Sequence, residues 1–178
     1  IGGLFNSRRQ RIGIRMDVQS TSDIQAVAPR HANPLDLTPT RACSVLTAGF
    51  GGLRPQRLRV PGVVTYSGPN GLYVQDGDCG IGVDATEGSR FKVGEHVEVY
   101  GYNTIAGSEV RISDAFVRPT LGKAEARPVR VAASDLVSGD WDQRLVELDA
   151  VLSAVFASDN QALLLLRESD QRIEARLE

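Results

Sequence analysis

The sequence predicts an all-β protein made of small antiparallel barrels, and three features of its 178 residues carry that prediction. Between Gln56 and Thr120, short alternating runs of β-branched and aromatic residues are separated by glycine-bearing turns. The turn Gly68-Pro69-Asn70-Gly71 supplies a proline that fixes φ and neighbours that tolerate positive φ, the chemistry of a tight hairpin. The same strand pattern then returns near the C-terminus at a domain-scale offset.

Residues 1–30 open with Leu4-Phe5-Asn6-Ser7-Arg8-Arg9-Gln10, read as a loop with a solvated basic tip. Arg11-Ile12-Gly13-Ile14-Arg15-Met16-Asp17-Val18 places an apolar residue at every second position, the pattern of a half-buried strand. Ser22 to Val27 reads as a further short extended piece, stopped by Pro29. Residues 31–55 form a linker. Within it Thr38-Pro39 has the chemistry of an N-cap followed by proline at the first helical position, predicting a short helix through Cys43 and Leu46 that ends at Gly49. Gly49-Phe50-Gly51-Gly52 lacks the lysine and the spacing of a phosphate-binding loop and reads as a joint.

Residues 56–120 hold five predicted strands. The first runs from Arg57 to Ser67 and contains Pro61-Gly62, which predicts a bulge and a sharp bend. Leu72–Asp76 and Ile81–Ala85 follow, then a crossing segment over 89–94. The fourth strand is His96–Tyr102, and the fifth is Glu109–Ser113, resuming at Ala115–Val117. A long bent strand, a tight hairpin, a brief crossing and a final hairpin describe the five-stranded Greek-key barrel called the OB fold. Residues 121–140 are a second linker, with a helical turn at Ser134–Gly139. Residues 141–178 carry strands at Leu145–Leu152, Ala162–Arg167 and Arg172–Leu177.

Leu58-Arg59-Val60-Pro61-Gly62-Val63-Val64 lines up with Val146-Glu147-Leu148-Asp149-Ala150-Val151-Leu152, an offset of about 88 residues. Gly71–Gln75 matches Ala162–Leu166, and Ile81-Gly82-Val83 matches Ile173-Glu174-Ala175. Residues 141–178 therefore read as strands one to three of a second OB-like repeat. At the other end Arg11-Ile12-Gly13-Ile14 aligns with Glu109-Val110-Arg111-Ile112, so residues 1–30 read as strands four and five, with Ile1-Gly2-Gly3 as the remnant of strand four. The expectation is a tandem of OB-like barrels, one complete and one split between the chain ends. The two parts either pair, within one chain or swapped in a homo-oligomer, or stand as the ragged ends of a longer array.

The run Leu58–Tyr66, together with Gly71-Leu72-Tyr73-Val74-Gln75-Asp76-Gly77-Asp78-Cys79-Gly80-Ile81-Gly82-Val83, resembles the OB-like repeats in the extracytoplasmic regions of bacterial membrane signalling proteins, sensor histidine kinases above all. Leu4–Gln10 through Asp23-Ile24 is similar to the end of a preceding repeat in such proteins. The resemblance implies a periplasmic sensor domain in signal transduction. It implies no particular ligand.

Composition narrows the function further. The net charge is −2, and the complete barrel sets six basic residues, Arg57 and Arg111 among them, against eight acidic ones, so nucleic acid is not the expected partner. No apolar run is long enough to span a membrane. The start at Ile1 rather than Met reads as a processed or excised piece. Cys43 and Cys79 are expected to be unpaired small hydrophobes, with pairing in an oxidising compartment as the alternative.

No catalytic constellation is visible. His31 lies in a linker and His96 on a strand, neither with a nucleophile at motif spacing. No histidine–cysteine cluster has zinc spacing. Asp76-Gly77-Asp78-Cys79-Gly80 resembles a calcium loop but lacks the later ligands, and a strand-connecting turn explains it. The expectation is a protein without enzymatic activity, cofactor or metal.

Binding has more substance, because OB barrels commonly use the face of strands two and three. With Leu72 and Val74 pointing inward, Tyr73 and Gln75 point outward. Tyr66, Tyr100 and Tyr102 offer stacking surface, and Asn70 and Arg111 complete the candidate ligand site. The bland alternative is that these tyrosines merely cover barrel edges. The sequence thus predicts a ligand-sensing or protein-interaction module for an unknown small ligand or protein partner. A single-strand nucleic-acid or oligosaccharide-binding module and a structural spacer are the alternatives.

Overall fold

The computed structural model describes residues 2–5, 11–15, 17–23, 25, 34–48, 57–69, 71–85, 90–122, 125–158 and 161–177. The chain divides into two units, Ile1–Leu37 and Thr38–Glu178. In the first, β1 (Gly2–Phe5) and β2 (Arg11–Arg15) form an antiparallel hairpin that sets Gly3 opposite Ile14. Leu4 and Phe5 are thus in a strand rather than the expected loop. Thr21–Asp23 coils into one 3-10 turn instead of extending. The Asp23 amide donates to the Ser20 carbonyl at 3.1 Å and the Ser22 amide to Ser20 Oγ at 3.2 Å. Serine-rich segments bond to their own backbone in this way and compete with strand formation.

The second unit is organised by a closed barrel. Its strands are β3 (Arg57–Gly68), β4 (Gly71–Asp76), β5 (Cys79–Val83), β6 (His96–Ala106) and β7 (Glu109–Pro119). They follow the order β3-β4-β5-β7-β6, and β6 pairs back onto β3. All ladders are antiparallel except the short β5–β7 contact, Gly82↔Arg111 and Val83↔Ile112. This is the OB-like topology.

Alternation places Val60, Val64, Leu72, Val74, Ile81, Val83, Val97, Val99, Val110 and Ile112 in one buried core. Each such side chain contributes roughly 1.5–3 kcal/mol by leaving water. The bulge in β3 falls between Val64 and Tyr66, not at Pro61-Gly62. Pro61 precedes the β4 ladder, which begins at Val63, so its missing N–H costs no bond there. Gly62 serves close packing: a Cβ would run into Val74 and the Gln75 carbonyl. β7 is continuous, with a kink at Asp114 (φ 48°) where the sequence predicts a break.

The helix α1 spans Ala42–Ala48, starting later than Thr38-Pro39 predicts. Pro39 instead forms a parallel bridge to Arg59, and the Thr40 amide donates to the Arg59 carbonyl at 2.7 Å. The cap comes from a distant strand: the Ala42 amide donates to Asp76 Oδ2 at 3.1 Å. Cys43 and Cys79 are joined in a disulfide, correcting the expectation of free thiols. The bond pins α1 to β5 beside that cap. The predicted joint over 49–52 lies outside the described residues.

The remaining strands are β8 (Val129–Arg130), β9 (Val146–Glu147), β10 (Val151–Ser158), β11 (Gln161–Glu168) and β12 (Gln171–Leu177). The strand predicted over Leu145–Leu152 is interrupted between β9 and β10. β8 pairs with β9 in parallel, and β10-β11-β12 form an antiparallel meander. Local details repeat those of the barrel. The bulge in β10 falls between Leu152 and Ala154, which align with Val64 and Tyr66. Leu164 faces Ala175 and Leu166 faces Ile173, as Leu72 faces Val83 and Val74 faces Ile81, which shifts by one residue the expected match of Gly71–Gln75 with Ala162–Leu166. The hairpin turns carry Ser169 (φ 52°) where the barrel has Gly77 (φ 62°). The Val131 amide donates to the Glu147 carbonyl as that of Thr40 does to Arg59, and the Ala133 amide donates to Glu168 Oε2 as that of Ala42 does to Asp76.

Candidate functional site

Tyr73 lies on the outer face of β4, one residue out of phase with the core positions Leu72 and Val74. The β3 bulge sets Tyr66 opposite it, and their rings stand 5.7 Å apart at 56°. From the far side Arg111 of β7 reaches over Tyr73, its guanidinium carbon 5.6 Å from the ring centroid. That crossing is possible because Gly82 lies between them: a Cβ there would collide with the guanidinium. Tyr66, Gly68, Gly71, Leu72, Tyr73, Arg111 and Arg176 line an open cleft of about 290 Å³.

Arg111 is paired within the cleft. Arg111 Nε and Nη2 both donate to Asp84 Oδ1 at 2.7 Å, and Nη1 lies 3.4 Å from Glu109 Oε2. Burial works against the guanidinium charge, but the Asp84 and Tyr73 contacts outweigh it and raise the Arg111 pKa. The arginine is therefore fully charged yet already paired. The cleft offers a ligand ring surface, with Arg111 stiffening one tyrosine and the exposed Arg176 on its lining.

Of the seven residues predicted from sequence, three converge here: Tyr66, Tyr73 and Arg111. Gln75 does not belong to the cleft. It is buried, accepting the Leu145 amide at 3.0 Å and donating to the Gly77 carbonyl at 2.9 Å, and so clamps the segment before β9. Tyr100 is fully buried, and its hydroxyl donates to Glu98 Oε2 at 2.7 Å. Tyr102 stacks beneath Arg57 at 5.9 Å. These two lie against the barrel wall, away from the cleft. Asn70 lies outside the described residues, as does His31.

Glu98 anchors the polar patch that takes Tyr100. Arg59 Nε donates to it at 3.1 Å and Arg118 Nη2 at 2.6 Å. Burial pushes the carboxyl up, but hydrogen bonds from Arg59, Tyr100 and Arg118 prevail and hold it at about 2. Burial and Glu98 push the Tyr100 hydroxyl up.

Sequence reasoning missed Asp84, Gln143 and Arg176. Gln143 (φ 61°) accepts the Gly82 amide and donates to the Val110 carbonyl at 3.3 Å, bridging the gap where β5 and β7 barely pair. No local signal marks it. Asp84 lies two residues beyond Gly82, the partner of Arg111, and so on the same side of the chain, a relation that only the β5–β7 pairing shows. Among the described residues no group of histidine, cysteine, aspartate and glutamate could hold a metal ion, and no helix is long and apolar enough to cross a membrane.

No family model matches the chain, and no curated protein matches it either. Among solved structures it is similar to the hypothetical protein ygiW from E. coli, at 18% identity and a TM-score of 0.38, covering 47% of this chain and 90% of that one. It is also similar to a murine DNA binding protein bound with double-stranded DNA, at 8% identity and a TM-score of 0.35, covering 66% and 72%. Both likenesses are distant. The barrel stands on its own ladders.

Proposed function

We propose that this chain is a non-enzymatic binding module, an array of OB-like repeats whose complete barrel takes a neutral, ring-bearing ligand on the open ring surface of Tyr66 and Tyr73. The single observation that carries this reading is the convergence of two outward tyrosines and a paired arginine on one open cleft. Stacking on aromatic faces needs no charge on the ligand. A polyanion is disfavoured because Asp84 and Glu109 neutralise Arg111 and the chain is net negative.

The repeated bulge, register and helix-turn cap of β10–β12 support the tandem arrangement. The Cys43–Cys79 disulfide supports an oxidising, extracytoplasmic location, where such bonds persist. A sensory role in an envelope signalling protein follows from the sequence resemblance.

The test is a thermal-shift and fluorescence titration with two probes, a neutral trisaccharide and a labelled single-stranded decanucleotide, the latter at two salt concentrations. The expected result is a saturable shift with the sugar that Tyr73→Ala abolishes. Tight, salt-sensitive oligonucleotide binding lost in the same variant would establish the nucleic-acid reading instead. No response to either probe would favour a spacer.

A further inference from the structure

We propose that Gln143 is a positioning residue for the Tyr66–Tyr73 cleft, gripping the strand row beneath it and so coupling ligand binding to docking of the segment that leads into β9. The inference rests on the reading of that cleft as the ligand site. Four residues form one cross-strand row: Tyr66 stands opposite Tyr73, Tyr73 opposite Gly82, and Gly82 beside Arg111. The last step of this row is the weakest. β5 and β7 pair over two positions only, whereas β4 and β5 pair over five. At one end of the short ladder the Asp84 amide donates to the Ile112 carbonyl at 2.8 Å. Two residues back on each strand, the Gly82 amide and the Val110 carbonyl are the next polar groups. Gln143 takes hold of both: its Oε1 accepts the Gly82 amide, and its Nε2 donates to the Val110 carbonyl at 3.3 Å. A side-chain amide suits this task because it presents an acceptor and a donor side by side. A carboxylate lacks the donor, and an ammonium lacks the acceptor.

β5 is shaped to admit this side chain. Ile81 points into the core, so Gly80 and Gly82 face outward. A Cβ at Gly80 would run into the Gln143 carbonyl, and one at Gly82 would meet the Arg111 guanidinium, with Gln143 Oε1 3.2 Å away. Gln143 and Arg111 thus lie over the same bare strand. Gln143 holds φ 61°, a left-handed conformation that costs energy for any residue but glycine and persists only where the surroundings enforce it. Its neighbours supply that enforcement. The Leu145 amide donates to Gln75 Oε1 at 3.0 Å, and Arg144, its side chain 15% exposed, stacks on Trp141 at 4.4 Å. The segment then runs directly into β9 at Val146. Docking it stiffens the rung that carries Arg111, and Arg111 stiffens Tyr73. By linkage, a ligand that needs this row in place favours the docked segment by the same factor.

The test compares the isotope-labelled parent with Gln143→Gly and Gln143→Glu by NMR. Glycine adopts this φ without strain but carries no amide, so Gln143→Gly should melt close to the parent, while Gln143→Glu keeps the acceptor for Gly82 alone. Without ligand, Gln143→Gly should speed hydrogen exchange of the Gly82 amide by about tenfold or more. The Arg111 Nε–H signal should lose its exchange protection and its ring-current shift from Tyr73. Gln143→Glu should fall between parent and Gln143→Gly. With a neutral trisaccharide, Gln143→Gly should weaken binding by about fivefold or more, and saturating sugar should slow Gly82 exchange in the parent by a similar factor. Unchanged Gly82 exchange in Gln143→Gly would overturn the proposal. So would faster exchange with the Arg111 signal and the sugar affinity both unchanged, since Gln143 would then fasten the segment and position nothing. A trisaccharide that fails to bind the parent refutes the cleft reading instead, and the ligand-free Arg111 signal still decides whether Gln143 positions the row.

Discussion

Glu98 shows how a single polar residue fixes one wall of the barrel. It lies on β6 between the core positions Val97 and Val99, so alternation sends it outward, where Arg59, Arg118 and Tyr100 enclose it. Its folded pKa of about 2 is depressed, so its stabilisation is complete above the ordinary carboxylate range and is lost as pH falls from there towards 2. With the arginines partly in solvent, that contribution is about 1–2 kcal/mol. Between pH 7 and pH 3 the unfolding free energy should fall further in the parent than in Glu98→Gln, by part of that contribution because the folded carboxyl still titrates below pH 3; parallel falls would show that the cluster adds nothing. At the cleft, Gly82→Val should displace Arg111 and weaken ligand binding at least tenfold, read by the same titration as Tyr73→Ala, because a Cβ there meets the guanidinium. Unchanged affinity would remove Arg111 from the site. The outward placement of Tyr73 was legible because strand alternation decides which way a side chain points. The exclusion of Tyr100 was not. Alternation also turns Tyr100 outward, and only the arginines from β3 and β7, remote in sequence, show that it is covered.

Elements that close on distant residues were the ones misread. The extent of α1 is set by Asp76, which caps it from the end of β4, and by the disulfide to β5, whereas Thr38-Pro39 carries a local signal that the Pro39–Arg59 bridge overrides. Asp76→Ala removes the cap and should cost about 1 kcal/mol in a chemical denaturation curve. Reducing the disulfide should cost more, about 2–4 kcal/mol, because it releases a long loop in the unfolded chain. Equal midpoints with and without reductant would mean that the bond does not constrain the folded barrel. The order of the five barrel strands was legible, since their glycine-bearing turns and two-residue periodicity are local, although β6 runs to Ala106 rather than ending at Tyr102. The Thr65 bulge was misplaced to Pro61-Gly62 because glycine there answers to close packing against β4, which has no signature in sequence.

At the scale of the whole molecule, the closed barrel and the β10–β12 sheet share a bulge position and a hairpin register, as the proposed internal repeat requires. Repeats of this kind stabilise one another at their contacts. The net charge of −2 opposes generic polyanion binding, and a ring-lined cleft sits on the outer face of the closed barrel. The central claim is that this cleft is a binding site for neutral ring-bearing ligands. The most direct measurement is a nitrogen–proton NMR titration of the uniformly labelled chain with a neutral trisaccharide. The account predicts saturable shifts centred on the amides of Tyr66, Tyr73 and Arg111 and absent in Tyr73→Ala. Shifts centred on another surface, with these three amides unmoved, would contradict it.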